Sequence, residues 1–227
     1  CLKYPFGTDW LGRNMFYRTL TGLSMSILIG VLAAGVSAVM ALILGICAAT
    51  LGKKVDSAIS FAIDTVMGIP HILLLILISY AMGKGLKGVI AGVALTHWTS
   101  LARLIRGEVM QLRESEYIQI AGKLGLGKWE IAKKHIVPHV LPQFIVGLVL
   151  LFPHAILHES SITFLGFGLS TEQPAIGVIL SESMRYLIMG KWWLAVFPGM
   201  MLVLTVVLFE KGGTALRQLL DPGSVHK

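Results

Sequence analysis

Five long apolar blocks constrain this chain more than any other feature of its sequence. They span residues 21–51, 58–81, 88–105, 143–165 and 192–209, so each is about 18 to 31 residues long. A helix needs about 20 predominantly apolar residues to cross the hydrocarbon core of a bilayer. Charged residues make up only 14% of the chain, against roughly 25% in soluble domains. The sequence therefore predicts an all-α, polytopic transmembrane helical bundle with five membrane helices.

Lys and Arg are unevenly distributed between the segments that join these blocks. If the N-terminal segment lies outside the cell, the inside segments hold 12 of the 19 Lys and Arg residues and the outside segments hold 7. Because basic segments stay on the cytoplasmic side, this distribution predicts a multi-pass membrane protein with its C-terminus in the cytoplasm. The net charge of +7 is then explained by topology, and nothing in it requires nucleic acid as a partner.

The two cysteines carry no chemistry that the sequence can identify. Cys1 is the first residue and Cys47 lies inside an apolar block, so they form neither a disulfide framework nor a CxxC pair. Thiol redox chemistry is therefore excluded. Because the chain begins with Cys instead of Met, we expect further sequence upstream of it.

The segment 106–142 is polar and nevertheless contains two short helical patterns, separated by residues 125–127. Apolar residues recur at helical spacing in the first pattern at Tyr117, Ala121 and Leu124, and in the second at Trp129, Ala132 and Ile136. Such amphipathic stripes need to be covered. They either lie against the membrane surface or the protein's own bundle, or bind a partner protein, and the pattern alone does not distinguish the two.

Several motifs in this chain are similar to those of one family. Residues 116–125 and 135–142 resemble the EAA loop of ABC importer permeases. Residues 6–14 resemble the GTDxxGRD signature of the dipeptide, oligopeptide and nickel branch, with Asn14 in place of the last Asp. Residues 102–109, 161–168 and 216–222 match the same branch, so the resemblance covers essentially the whole chain.

This resemblance implies the second permease subunit of a binding-protein-dependent importer with the type I permease fold. It implies a further helix upstream, an extracytoplasmic segment 1–20, a transmembrane domain 21–210 with a cytoplasmic coupling loop 106–142, and a cytoplasmic tail 211–227. The expected partners are a homologous permease, two ATPases that bind ATP and Mg²⁺, an extracytoplasmic solute-binding protein and lipid of a bacterial or archaeal cell membrane. We expect this chain to be no enzyme and to hold no cofactor.

The resemblance also assigns the contact with the ATPases to individual residues. The corresponding positions are Glu116, Tyr117, Gln119, Ala121, Gly122, Leu124, Gly125 and Gly127. Of the core motif only Ala121 and Gly125 are kept, because Gln119 and Ile120 stand in place of its Glu and first Ala. Closure of the ATPase dimer is expected to push this loop and to switch the path between inward-facing and outward-facing states.

Two segments of the chain resemble parts of nucleotide-binding or catalytic motifs. Residues 122–128 fit the pattern GxxxxGK, but Trp129 stands where a P-loop needs Ser or Thr. His158 and Glu159 begin like HExxH, but Ile162 replaces the second zinc ligand. We therefore expect neither ATP binding nor metalloprotease activity in this chain.

The few polar residues inside the apolar blocks are the candidates for the solute path, because polar groups are costly in hydrocarbon and usually face a cavity or a partner. These residues are Asp64, His71, His97, His154, His158 and Glu159. Asp64 and His71 are seven residues apart, which predicts one shared helix face. His154 and His158 are one helical turn apart, so their imidazoles point the same way.

The four histidines admit two interpretations. They can have a structural role, forming hydrogen bonds between helices or lying near the outer membrane interface as amphipathic rings, or they can bind Ni²⁺, Co²⁺, Cu²⁺ or Zn²⁺, for which imidazole is a good ligand. The His97-Trp98 pair and the His-x3-His spacing resemble the nickel permeases of the family, so we expect nickel or a related metal, free or chelated, as the solute. Di- or oligopeptides are the alternative within the same architecture. A membrane haem or metal enzyme is a remote alternative.

Overall fold

The computed structural model describes residues 5–220, and these form a bundle of α-helices. The helices are α1 (Met15–Thr50), α2 (Lys53–Gly68), α3 (His71–Ala81), α4 (Gly85–Glu114), α5 (Glu116–Lys123), α6 (Lys128–Ile131), α7 (Val137–Phe164), α8 (Ile176–Leu187) and α9 (Trp193–Leu220). Four helices of the described part are long and apolar enough to cross a membrane, and the bent pair of α2 and α3 brings the number to five.

Helix α1 packs along α4 and α7. Its inner face carries small buried residues such as Ala34, Ala38 and Ala41. A methyl group added at Gly45 would approach the carbonyl oxygen of Ala102 on α4 to 2.8 Å. Small residues allow this close approach of helix backbones, on which packing inside a bilayer depends.

The predicted block 58–81 is not one straight helix. It is divided into α2 and α3, which are bent by 100° relative to each other. Pro70 has no backbone N–H and disfavours a helical residue before it, and Ile69 is extended with φ −92° and ψ 137°. The prediction that Asp64 and His71 share a helix face is therefore wrong.

The boundary between the coupling loop and the fourth apolar block also differs from the prediction. The chain is continuously helical from α6 through a π-helical turn (Ala132–Ile136) into α7, so the second amphipathic pattern is the first part of a membrane helix. Pro138 is the second residue of α7, so the wider turn lies just before the position where a missing N–H interrupts the ordinary hydrogen-bond ladder.

The termini of the bundle extend beyond the predicted apolar blocks. Helix α1 begins within the predicted extracytoplasmic segment 1–20, and α9 continues through residues 211–220, which we expected to form a tail. Cys1 and residues 221–227, which include the end of the C-terminal motif, lie outside the described part of the chain.

The GTDxxGRN motif forms a capped turn before α1. The Asp9 carboxylate accepts hydrogen bonds from the backbone N–H groups of Leu11 and Arg13, both at 2.9 Å, and from the Arg13 guanidinium at 2.7 Å. Burial by itself would raise the pKa of Asp9, but these hydrogen bonds outweigh it and hold the pKa below its ordinary value. Asn14 accepts hydrogen bonds from the N–H groups of Phe16 and Tyr17 and so caps α1. Asn is therefore as suitable here as the Asp of the motif.

Candidate functional site

Three histidines from three different helices meet inside the bundle. His71 is the first residue of α3, His97 lies in the middle of α4 and His158 lies in α7. Their ring centroids are 4.6 to 5.0 Å apart. One nitrogen of each ring lies within 4.8 Å of the corresponding nitrogen of the other two. We call these three residues the histidine triad.

The orientation of His97 is fixed by hydrogen bonds within α4. Its Nδ1 atom lies 3.0 Å from the carbonyl oxygen of Val93 and 3.0 Å from Oγ1 of Thr96. A carbonyl oxygen can only accept, so the neutral imidazole donates its proton from Nδ1. The Nε2 atom of His97 then carries an unprotonated lone pair, which is the form that binds a metal.

Two nitrogens of the triad are buried without a hydrogen-bond partner. Nε2 of His97 and Nε2 of His71 have none among residues 5–220, and His97 as a whole is 7% exposed. The interpretation that these histidines form hydrogen bonds between helices is therefore wrong for these two atoms. Buried polar atoms normally find a partner, so the triad requires another explanation.

The triad forms part of the wall of a cavity of about 610 Å³ between α3, α4 and α7. The break between α2 and α3 also contributes to the wall. His154 lines the same cavity and is exposed, one turn before His158 on α7. The other lining residues are Val66, Met67, Gly68, Ile69, Pro70, Thr96, Thr99, Ser100 and Leu151.

The two acidic residues predicted in the solute path are engaged elsewhere. Asp64 forms an exposed ion pair with Arg103 of α4 at 2.6 Å. Glu159 is 0% exposed, and its carboxyl group accepts hydrogen bonds from the hydroxyl groups of Thr163 at 3.0 Å and Ser160 at 3.2 Å. Neither residue lines the cavity, so the polar groups at the triad are imidazoles and hydroxyls.

The predicted coupling residues lie on and around α5, at one end of the bundle. Glu116 begins the helix, Gly122 is close to its end, and Gly125 adopts φ +89°, a conformation that favours glycine. Gly127 directly precedes α6. The amide of Gln119 donates to the carbonyl of Glu114 at 3.1 Å, so this side chain stabilises the start of the segment.

The exposed face of the coupling segment differs from the one predicted. Ala121 is buried together with Ile118, so these two side chains attach α5 to the bundle. Four other apolar side chains are exposed: Tyr117, Ile120 at 54%, Leu124 at 78% and Trp129 at 81%. The predicted stripe is therefore divided: Ala121 and Ile136 face the bundle, whereas Tyr117, Leu124 and Trp129 face outward.

Sequence reasoning did not assign Thr96, Thr99 and Ser100 to the site, although all three line the cavity on α4. The signal was available, because Thr96 is adjacent to His97, and Ser100 follows His97 by three residues on a helix. It also missed helix α8, whose Glu182 forms an ion pair with Arg18 of α1. These residues are polar but carry no recognisable motif.

A cavity lined by imidazole and hydroxyl groups as well as apolar side chains, inside an apolar helix bundle, is typical of the membrane subunit of a transporter. Residues 41–224 match the family "Binding-protein-dependent transport system inner membrane component". The chain belongs to this family of ABC importer permeases.

Relatives and solved structures agree with this assignment. The chain is 34% identical to the dipeptide transport system permease protein DppC of Bacillus subtilis over 96% of this chain and 68% of the relative. It is 31% identical to the probable D,D-dipeptide transport system permease protein DdpC of Escherichia coli over 96% of this chain and 72% of the relative. The structure "Inward facing conformations of the MetNI methionine ABC transporter" matches with a TM-score of 0.73 and 16% identity, over 91% of this chain and 98% of that chain. The type I permease fold is confirmed.

Proposed function

We propose that this chain is a permease subunit that carries small peptides into the cell through the cavity at the histidine triad. We infer the class of solute from the relatives of this chain. They include an oligopeptide permease, OppC of Bacillus subtilis, at 34% identity over 96% of this chain. These names favour the peptide alternative over the metal that the sequence analysis expected. The metal interpretation stays a second candidate because the triad favours it, and it is developed in the next subsection.

The cavity offers chemistry that suits a small polar solute. Hydroxyl groups of Thr99 and Ser100 and the exposed imidazole of His154 line it. Ser100 and His154 can both donate and accept hydrogen bonds, whereas the Thr99 hydroxyl already donates to the carbonyl of Thr96 and is left to accept. The side chains of Leu151 and Met67 supply apolar contact. A mixed lining of this kind binds polar ends and tolerates varied side chains.

The continuous helix that contains α6, the π-helical turn and α7 would connect the ATPases to the cavity. Trp129 projects from its first turn, and His158 lies 29 residues later on the same helix. At 1.5 Å per residue this separation is roughly 40 Å. A push on the coupling segment would therefore move the helix that carries two of the cavity's four histidines. In this proposal the bundle alternates between two packings, which open the cavity first to one side of the membrane and then to the other.

The remaining subunits follow from the importer class. We place a homologous permease across the path, two ATPases with ATP and Mg²⁺ beneath α5, and a solute-binding protein on the side of the GTDxxGRN turn. The C-terminus is then cytoplasmic, and hydrolysis takes place outside this chain.

Transport by the complete transporter in proteoliposomes tests this function. Ser100→Trp places a large ring at an exposed position of the cavity wall, while Leu104→Trp makes the same change one turn further along α4, at an exposed position outside the cavity. Uptake of a labelled dipeptide should be lost in Ser100→Trp and kept in Leu104→Trp, with both variants assembled. Equal uptake by the two variants, or uptake that does not depend on ATP, would contradict the proposal.

A further inference from the structure

We propose that His71, His97 and His158 form a transition-metal site in the solute path, at which Ni²⁺, Co²⁺, Zn²⁺ or Cu²⁺ binds during transit, either as a free ion or as a complex with a small peptide-like chelator. This inference rests on the proposed function, because it places the ion in the cavity through which the solute moves. It gives the unpartnered nitrogens of the triad a ligand.

The geometry of the triad is close to that of a three-imidazole site. Its three ligand nitrogens lie within 4.8 Å of one another. A metal–nitrogen bond is about 2.0 to 2.1 Å long, so two nitrogens on one tetrahedral ion are roughly 3.4 Å apart. Side-chain rotations that bring the nitrogens up to about 1.4 Å closer would complete such a site.

The hydrogen bonding of His97 prepares it for this role. Metal-binding histidines usually donate their other ring N–H to a carbonyl or carboxylate, which fixes the tautomer and the direction of the ring. The carbonyl of Val93 occupies that position at Nδ1, with the Thr96 hydroxyl beside it. The Nε2 atoms of His97 and His71 are both buried and unpartnered within residues 5–220. Leaving two such atoms unpaired costs free energy that a bound cation would recover.

The donor set selects the class of ion. Mg²⁺ and Ca²⁺ require oxygen ligands, and the two nearby carboxyl groups, those of Asp64 and Glu159, are paired elsewhere. Imidazole ligands suit Ni²⁺, Cu²⁺, Co²⁺ and Zn²⁺. Three protein ligands leave at least one coordination position open to the cavity. A chelator can occupy that position. His154, one turn before His158 on α7, can bind the ion as it leaves the triad.

The three ligands also belong to three different helices, whose packing an alternating-access cycle would change. His71 reaches the triad only because the chain breaks at Pro70 and starts a new helix there. An ion bound by all three histidines therefore joins α3 to α4 and α7. Separation of these helices would remove ligands and release the ion, which a transport site needs and a storage site does not.

Metal binding to the purified, complete transporter tests this site without any transport assay. Co²⁺ titration, followed by its visible absorption bands and by calorimetry, should give one site per copy of this chain. His71→Gln, His97→Gln and His158→Gln should each weaken Co²⁺ binding by about 10-fold or more, since even the loss of a supporting hydrogen bond costs 10–100-fold. His139→Gln is the matched control, because His139 is an exposed histidine of α7 outside the cavity.

X-ray absorption of the unmodified transporter loaded with Ni²⁺ provides a second measurement that needs no variant. It should show scattering from about three imidazoles around each ion. No Co²⁺ site, a Ni²⁺ ion with fewer than two imidazoles, or triad variants that bind Co²⁺ as the His139→Gln control does would each overturn the proposal. If the site binds metal but the transporter moves neither peptide nor metal, the proposed function fails and the site stands.

Discussion

Nδ1 of His97 lies 3.0 Å from the carbonyl oxygen of Val93, one turn earlier on α4. This hydrogen bond fixes the tautomer of the most buried histidine of the triad and leaves the lone pair on its Nε2 atom, which has no partner within residues 5–220. The backbone of α4 thus determines which imidazole nitrogen is available inside the cavity.

Removing the Thr96 hydroxyl should loosen His97 without unfolding the bundle. Thr96→Val keeps the shape of the side chain but loses the oxygen that lies 3.0 Å from Nδ1. We expect Co²⁺ affinity to fall by up to about 10-fold, the lower end of the effect of supporting hydrogen bonds. Titration of the purified transporter measures it. Thr205→Val is the control, because Thr205 lies on α9 and its hydroxyl also bonds a backbone carbonyl. Equal affinity in the two variants would show that Thr96 does not support the site.

The exposed side chains of the coupling segment should hold the ATPases, and its buried side chains should hold the segment itself. Leu124→Asp changes a side chain that is 78% exposed, so the permease should fold normally but lose ATPase subunits during purification. Ala121→Asp places a charge at a buried position, which should cost about 1–3 kcal/mol or more in stability because the carboxylate loses water without gaining a partner.

Leu11→Asp is the matched control for this pair, because Leu11 is 66% exposed at the opposite end of the bundle. Its ATPase content should equal that of the parent. If Leu124→Asp keeps all of its ATPase subunits, or if Leu11→Asp loses as many as Leu124→Asp does, the exposed face of the coupling segment does not bind the ATPases.

Asp9 should stabilise the turn before α1 in a pH-dependent way. Because the pKa of Asp9 is lowered in the folded protein, its contribution is present above its ordinary pKa of about 3.9 and disappears as the pH falls through the lower folded value. Asp9→Asn should destabilise the protein by about 1–3 kcal/mol near neutral pH, since hydrogen bonds to a charged acceptor are lost.

Thermal unfolding in detergent at several pH values measures the effect of Asp9→Asn. The difference from the parent should shrink below about pH 4. Asp64→Asn is the control, because its ion pair with Arg103 is exposed and should contribute less than about 1 kcal/mol. A difference for Asp9→Asn that is constant with pH would exclude the proposed role of its charge.

The sequence predicted the class of fold well because hydropathy depends on local composition. Helices α1, α4 and α9 fall on predicted apolar blocks, with ends that extend further than the blocks. Polar residues at a helix end do not stop a helix once its backbone bonds are formed, as the continuation of α4 to Glu114 shows. Hydropathy therefore located the spans but not their limits.

The site could be predicted only in part, because its geometry depends on a bend. His71, His97 and His158 were recognised individually as polar residues in apolar blocks, but their meeting requires the 100° change of direction between α2 and α3. The same bend separates Asp64 from His71. Ala121 shows the other limit: helical periodicity groups residues on a stripe, but it does not say which part of the stripe faces the bundle.

The central claim is that the solute passes through the cavity at the triad, and the reactivity of a cysteine at Ser100 tests it most directly. In a background with Cys1→Ser and Cys47→Ala, Ser100→Cys should react with a water-soluble thiol reagent, and its rate should change when the ATPases are trapped with nucleotide. Reaction should also stop transport, whereas Leu104→Cys outside the cavity should do neither. If Ser100→Cys reacts no faster than Leu104→Cys in every nucleotide state and the labelled transporter remains active, the cavity is not the path.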